Sequence, residues 1–89
     1  MINTHYTRLI KANGRLREFN FRRLPSPGGN LFHVDVSDDR GNRVIFKMQK
    51  EGAGPWKVLD ESLPAWIYES EGKLSDAIED QLTTETAGK

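Results

Sequence analysis

The sequence predicts an α+β fold in two layers, an antiparallel β-meander of four to five strands with one C-terminal α-helix packed across one face. Three observations predict it. Phe32, Val34 and Val36, then Val44, Phe46 and Met48, fall on every second position, the period of a strand with one buried side. Leu63, Ile67, Leu74, Ile78 and Leu82 recur at three or four residues or at multiples of that spacing, so they line one stripe of a helix. Clusters of Gly, Pro, Asn and Asp separate the strand segments at hairpin spacing.

Tyr6 to Lys11 reads as a first strand. Asn13-Gly14 follows, the strongest two-residue hairpin signal, because both positions accept positive φ. Arg15 to Leu24 is the return strand, and the turn sets Tyr6 opposite Phe21, Arg8 opposite Phe19 and Ile10 opposite Arg17. Pro25 to Asn30 is a loop: its prolines fix φ and remove donors, and its glycines lose the most entropy on ordering. A phosphate-cradling reading of Pro27-Gly28-Gly29-Asn30 fails because no helix follows it. Leu31 to Ser37 is the third strand. Asp38 to Asn42 reads as a type I turn with Gly41 left-handed, closing a hairpin with a bulge. That turn sets Ser37 opposite Arg43, Val36 opposite Val44, Val34 opposite Phe46 and Phe32 opposite Met48. A slip of one residue would break every apolar match.

After a hairpin loop, Glu51 to Pro55, a last strand places Trp56 and Val58 on the same inward face. Asp60, Glu61 and Ser62 bring acidic and capping residues to the helix start, and Pro64 suits its first turn. Gly72 lies off the stripe and marks a place for a kink, although the stripe keeps phase across it. Thr83 to Lys89 reads as a frayed tail. The whole is one small domain, 1–89, with 1–4 and 84–89 as flexible ends.

Composition narrows the class. The chain has 89 residues and no cysteine, so neither disulfides nor a thiolate metal site can staple it. No apolar run approaches the roughly 20 residues that span a bilayer. Met1 to His5 lacks the charged and then apolar order of a signal peptide. These features lead us to expect a cytoplasmic protein of bacterial size. Net charge is zero, but residues 1–59 hold eleven Lys/Arg against five Asp/Glu, while residues 60–89 hold two against eight. A basic sheet therefore faces an acidic helix, and attraction between the layers is the simpler account of that asymmetry.

The outward side of the predicted sheet displays Leu9, Leu16, Leu31, Ile45 and Leu59 among Lys11, Glu18, Arg22, His33, Asp35, Lys47 and Lys57. That is more aliphatic surface than a small monomer needs. The first expectation is a non-catalytic interaction domain, homodimeric through its sheet face or edge, with Leu16, Ile45 and Leu59 at the interface. The alternative is a single-stranded nucleic-acid-binding module using Arg22, Arg43, Lys47 and Lys57, with Arg17 and Arg23 reaching the edges of the same face. In strand order, a meander followed by one helix over residues 15–82 is similar to the PUR repeat and Whirly folds, which bind single-stranded nucleic acid. The predicted aromatics point inward, however, which leaves few rings for stacking bases.

Other constellations carry less. His33 and Asp35 share a strand face and could begin a metal or acid–base site, yet Lys47 lies opposite His33 and no third ligand is placed. A cross-strand polar cluster is the preferred reading. No serine has a histidine spaced to activate it, and Asp38-Asp39 accept backbone bonds in a turn. The sequence therefore predicts no enzyme, cofactor, metal or membrane association. Trp56 and Trp66 read as core anchors, with a ligand pocket beside them as a third reading.

Overall fold

The computed structural model describes residues 5–25, 30–50 and 52–87. The expected flexible residues 1–4, the centre of the expected Pro25–Asn30 loop and residues 88–89 of the expected tail lie outside them. Strands β1 (His5–Ala12), β2 (Arg15–Arg23), β3 (Leu31–Ser37), β4 (Arg43–Lys50) and β5 (Trp56–Val58) form one antiparallel sheet in sequence order. Helices α1 (Ala65–Glu69) and α2 (Glu71–Ala87) follow. The α+β class and the meander match the expectation.

Turn chemistry sets the register. Asn13 and Gly14 adopt φ of 53° and 80°, and β2 returns with Tyr6 opposite Phe21 and Arg8 opposite Phe19. In the second hairpin Gly41 has φ of 83°, and its N–H bonds the Asp38 carbonyl at 3.1 Å. The Asp38 carboxylate accepts the N–H groups of Arg40 and Asn42 at 2.9 and 2.8 Å. Val34 then meets Phe46 and Phe32 meets Met48, as the alternation requires. Phe19, Phe21, Phe32, Val34, Val36, Phe46 and Met48 are all buried on this one face.

The stripe of α1 and α2 covers that face, with Ile67, Leu74 and Ile78 fully buried against it. An aromatic row crosses the sheet beneath the helix. Tyr6 stacks on Phe21 at 5.1 Å, and Tyr6 and Trp56 both meet Phe32 edge-on, at 6.2 and 5.1 Å. The opposite charges of the two layers meet at the rims. Arg8 of β1 reaches Asp80 at 3.0 Å, and Lys50 of β4 reaches Glu79 at 2.8 Å.

Three local expectations are corrected. The helical segment is not continuous: it breaks at Ser70, two residues before Gly72. The Ser70 hydroxyl donates to the Trp66 carbonyl at 2.8 Å, the kind of back-bond that competes with helix continuation. Ser62 does not start the helix, since Pro64 occupies the N-cap without any side-chain cap bond. Residues 83–87, expected in a frayed tail, belong to α2, which runs on to Ala87.

Gly72 sits inside α2 with no atom within 4 Å of where a Cβ would stand. Gly72→Ala should therefore stabilise the fold by about 0.5–1 kcal/mol, read as a higher urea midpoint at unchanged slope. The Lys50 ammonium, and next the Trp56 indole N–H, hold the Glu79 carboxyl below the usual glutamate range. Its folded pKa is depressed, so its contribution is present above the unfolded pKa and is lost as pH falls through the folded one. Glu79→Gln should make the urea midpoint less sensitive to acid in that window than in the wild type.

Candidate functional site

The outer face is assembled by the same alternation that fills the core. Leu9, Leu16, Ile45 and Leu59 are 66%, 68%, 54% and 46% exposed, while Leu31 is half-buried. The pairings Leu9–Glu18 and Lys11–Leu16 make Leu9 and Leu16 diagonal neighbours on β1 and β2. Ile45 and Leu59 are diagonal neighbours at the other side, because the Leu59 N–H continues the ladder to the Lys47 carbonyl at 2.9 Å. The aliphatics form two pairs rather than one patch.

A polar chain lies between the pairs. The Thr7 hydroxyl donates to Asn20 Oδ1 at 2.7 Å, and Asn20 Nδ2 donates to Asp35 Oδ1 at 2.9 Å. Arg43 donates to the same oxygen at 3.0 Å. His33 Nδ1 stands 3.9 Å from Asp35 Oδ2 and lies opposite Lys47, as a polar cluster would have it. Among the described residues no three His, Asp or Glu side chains gather as metal ligands.

Of the basic set, Arg22, His33 and Lys47 line up in one cross-strand row, and Lys57 stands opposite Gln49. Arg43 is engaged by Asp35. Arg17 and Arg23 are not on this face. Arg17 pairs with Ile10 and is buried, and the Arg23 guanidinium lies 5.9 Å over the Phe32 ring. Strand parity puts both on the helix side. No Phe, Tyr or Trp side chain occupies the outward positions of the described strands.

Both sheet edges meet the helical layer. On β5, the Trp56 N–H bonds Ser75 Oγ at 3.0 Å and the Val58 N–H bonds Glu71 Oε2 at 2.8 Å. On β1, Lys73 Nζ donates to the Lys11 carbonyl at 2.9 Å. Side chains of α2 thus occupy positions a further strand would need.

A second feature was not singled out from the sequence. The β2–β3 ladder runs only from Asn20–Asp35 to Arg23–Phe32, so the start of β2 and the end of β3 diverge. The two hairpin tips therefore splay around a cleft of about 470 Å³, lined by residues of Arg15–Asn20 and of Ser37–Arg43. Asp39 Oδ1 bridges the tips, 3.1 Å from Arg15 and 3.0 Å from Arg17. The Arg17 side chain is 6% exposed, its Nε donates to the Ala12 carbonyl at 2.8 Å, and its guanidinium lies 4.6 Å over the Trp66 ring. Trp66 is half-buried at the layer boundary, whereas Trp56 is a core anchor. The available signal was an arginine in alternation with Phe19 and Phe21, a charge on an inward position.

No protein-family model, curated protein or solved structure matches this chain. Its function has to be read from its own residues.

Arg17→Ala should destabilise the fold by about 2 kcal/mol through the lost carbonyl bond and ring stacking, measured by urea unfolding. Arg17→Lys should recover only part of that loss, because an ammonium lacks the flat face that stacks on Trp66.

Proposed function

We propose that the protein is a non-catalytic interaction domain that pairs with a second copy of itself through the outer face of its sheet. The observation that carries this reading is the placement of the exposed aliphatics Leu9 and Leu16 on one side of that face and Ile45 and Leu59 on the other. A two-fold axis in the plane of contact, running along or across the diagonal that joins the two pairs, covers every one of them with a counterpart. The Thr7–Asn20–Asp35–Arg43 chain between them is already hydrogen-bonded, so covering it leaves few polar groups unpaired. Pairing through the face is favoured over pairing through the β5 edge, because α2 side chains occupy the Trp56 and Val58 N–H groups there.

The second reading is a single-stranded nucleic-acid surface. The Arg22–His33–Lys47 row favours it, since such a row could follow a phosphate backbone. The absence of an outward Phe, Tyr or Trp on the described strands speaks against it, because single-strand binding without sequence preference draws much of its affinity from stacking on large rings.

Sedimentation equilibrium separates the two. The wild-type chain should dimerise at micromolar concentration, and Leu16→Glu combined with Ile45→Glu should raise the dissociation constant by about tenfold or more. Replacing Arg22, Lys47 and Lys57 by Glu should leave the dimer intact. A monomer at high micromolar concentration, together with salt-sensitive oligonucleotide binding lost in the triple Glu variant, would transfer the assignment to the second reading.

A further inference from the structure

We propose that the cleft between the two hairpin tips binds an oxyanion, a phosphate or carboxylate group, at the place the Asp39 carboxylate occupies, with Arg17 as its buried anchor. This inference does not rest on self-association. Three features of the cleft support it.

The first is the state of Arg17. Its buried Nη2 forms an ion pair with Asp39 Oδ1 at 3.0 Å, but the contact lacks hydrogen-bond geometry and no other group supplies it. A buried guanidinium N–H without a hydrogen bond is costly, and an anion free to orient can satisfy it where a side chain tied to a turn does not. The second is the use of Asp39. One oxygen, Oδ1, faces both Arg15 and Arg17, although two guanidinium forks can engage several oxygens of a free anion. The third is the backbone. The Leu24 N–H bonds the Leu31 carbonyl, so even-numbered residues of β2 direct their backbone groups towards β3. Leu16 and Glu18 lie beyond the end of the β2–β3 register, so their N–H groups point into the cleft.

Competing charges in the cleft are largely engaged. Asp38 turns its carboxylate to the N–H groups of Arg40 and Asn42. Glu18 is the remaining acidic group on the lining and opposes an incoming anion. Asp39 thus acts as an internal competitor, and an external oxyanion binds by displacing it from Arg15 and Arg17.

The test is a titration of the full chain with inorganic phosphate, and separately with acetate, followed by amide and indole NMR shifts. Sodium chloride at matched ionic strength removes general screening. Asp39→Asn should bind with a dissociation constant of the order of 1–10 mM, about tenfold tighter than the wild type. Saturable shifts should map to residues 15–18 and 37–43 and to the Trp66 indole. Saturation by phosphate alone assigns the site to phosphate groups, and saturation by both assigns it to oxyanions in general. Arg15→Ala in the Asp39→Asn background should weaken binding, and it keeps the test decisive if Arg17 variants fail to fold. Equal affinity in Asp39→Asn and wild type, or shifts that chloride reproduces, would overturn the proposal.

Discussion

The structure depends on one packing event, the seating of the α1–α2 stripe in the curl of a five-stranded sheet. Ile67, Leu74 and Ile78 remove water from the face that carries Phe19, Phe21, Phe32, Val34 and Phe46. Because strand side chains alternate, this burial also decides the other face. Leu9, Leu16, Ile45 and Leu59 are exposed because their neighbours are buried. The candidate interaction surface is thus the complement of the core.

The same seating accounts for the division of charge along the chain. Arg8 and Lys50 stand at the rims of the helix-covered face, where the acidic helix supplies Asp80 and Glu79. Ser75 and Glu71 accept from the outer strand β5, and Lys73 donates to β1. Such contacts are individually weak where exposed, but they occupy two N–H groups on the β5 edge and one carbonyl on the β1 edge. The outer face, with no helix across it, is the surface on which the proposed self-association rests.

Strand order, both hairpin registers and the inward set were legible in the sequence because two turns, Asn13-Gly14 and Asp38 to Asn42, leave one register each. The helix break was not, since Ser70 interrupts α1–α2 through a hydroxyl back-bond that propensity alone does not distinguish from an ordinary helical serine. The cleft was also hidden. It arises where β2 and β3 separate after Asn20–Asp35, and alternation along a strand carries no information about where two strands part. The inward parity of Arg17 was visible, but the ring and carboxylate that receive it come from Trp66 and Asp39, far away in sequence.

The chain contains no cysteine, so a single introduced thiol reports one position cleanly. Val36 and Ser37 are adjacent on β3 and lie on opposite faces, one fully buried and one exposed. The most direct test is the rate of thiol labelling in Val36→Cys and Ser37→Cys under native conditions. The Ser37→Cys thiol should react as fast as a free peptide thiol, and the Val36→Cys thiol only as fast as the protein unfolds. Comparable rates at the two positions, or faster labelling at Val36→Cys, would contradict the assignment of faces and the surface derived from it.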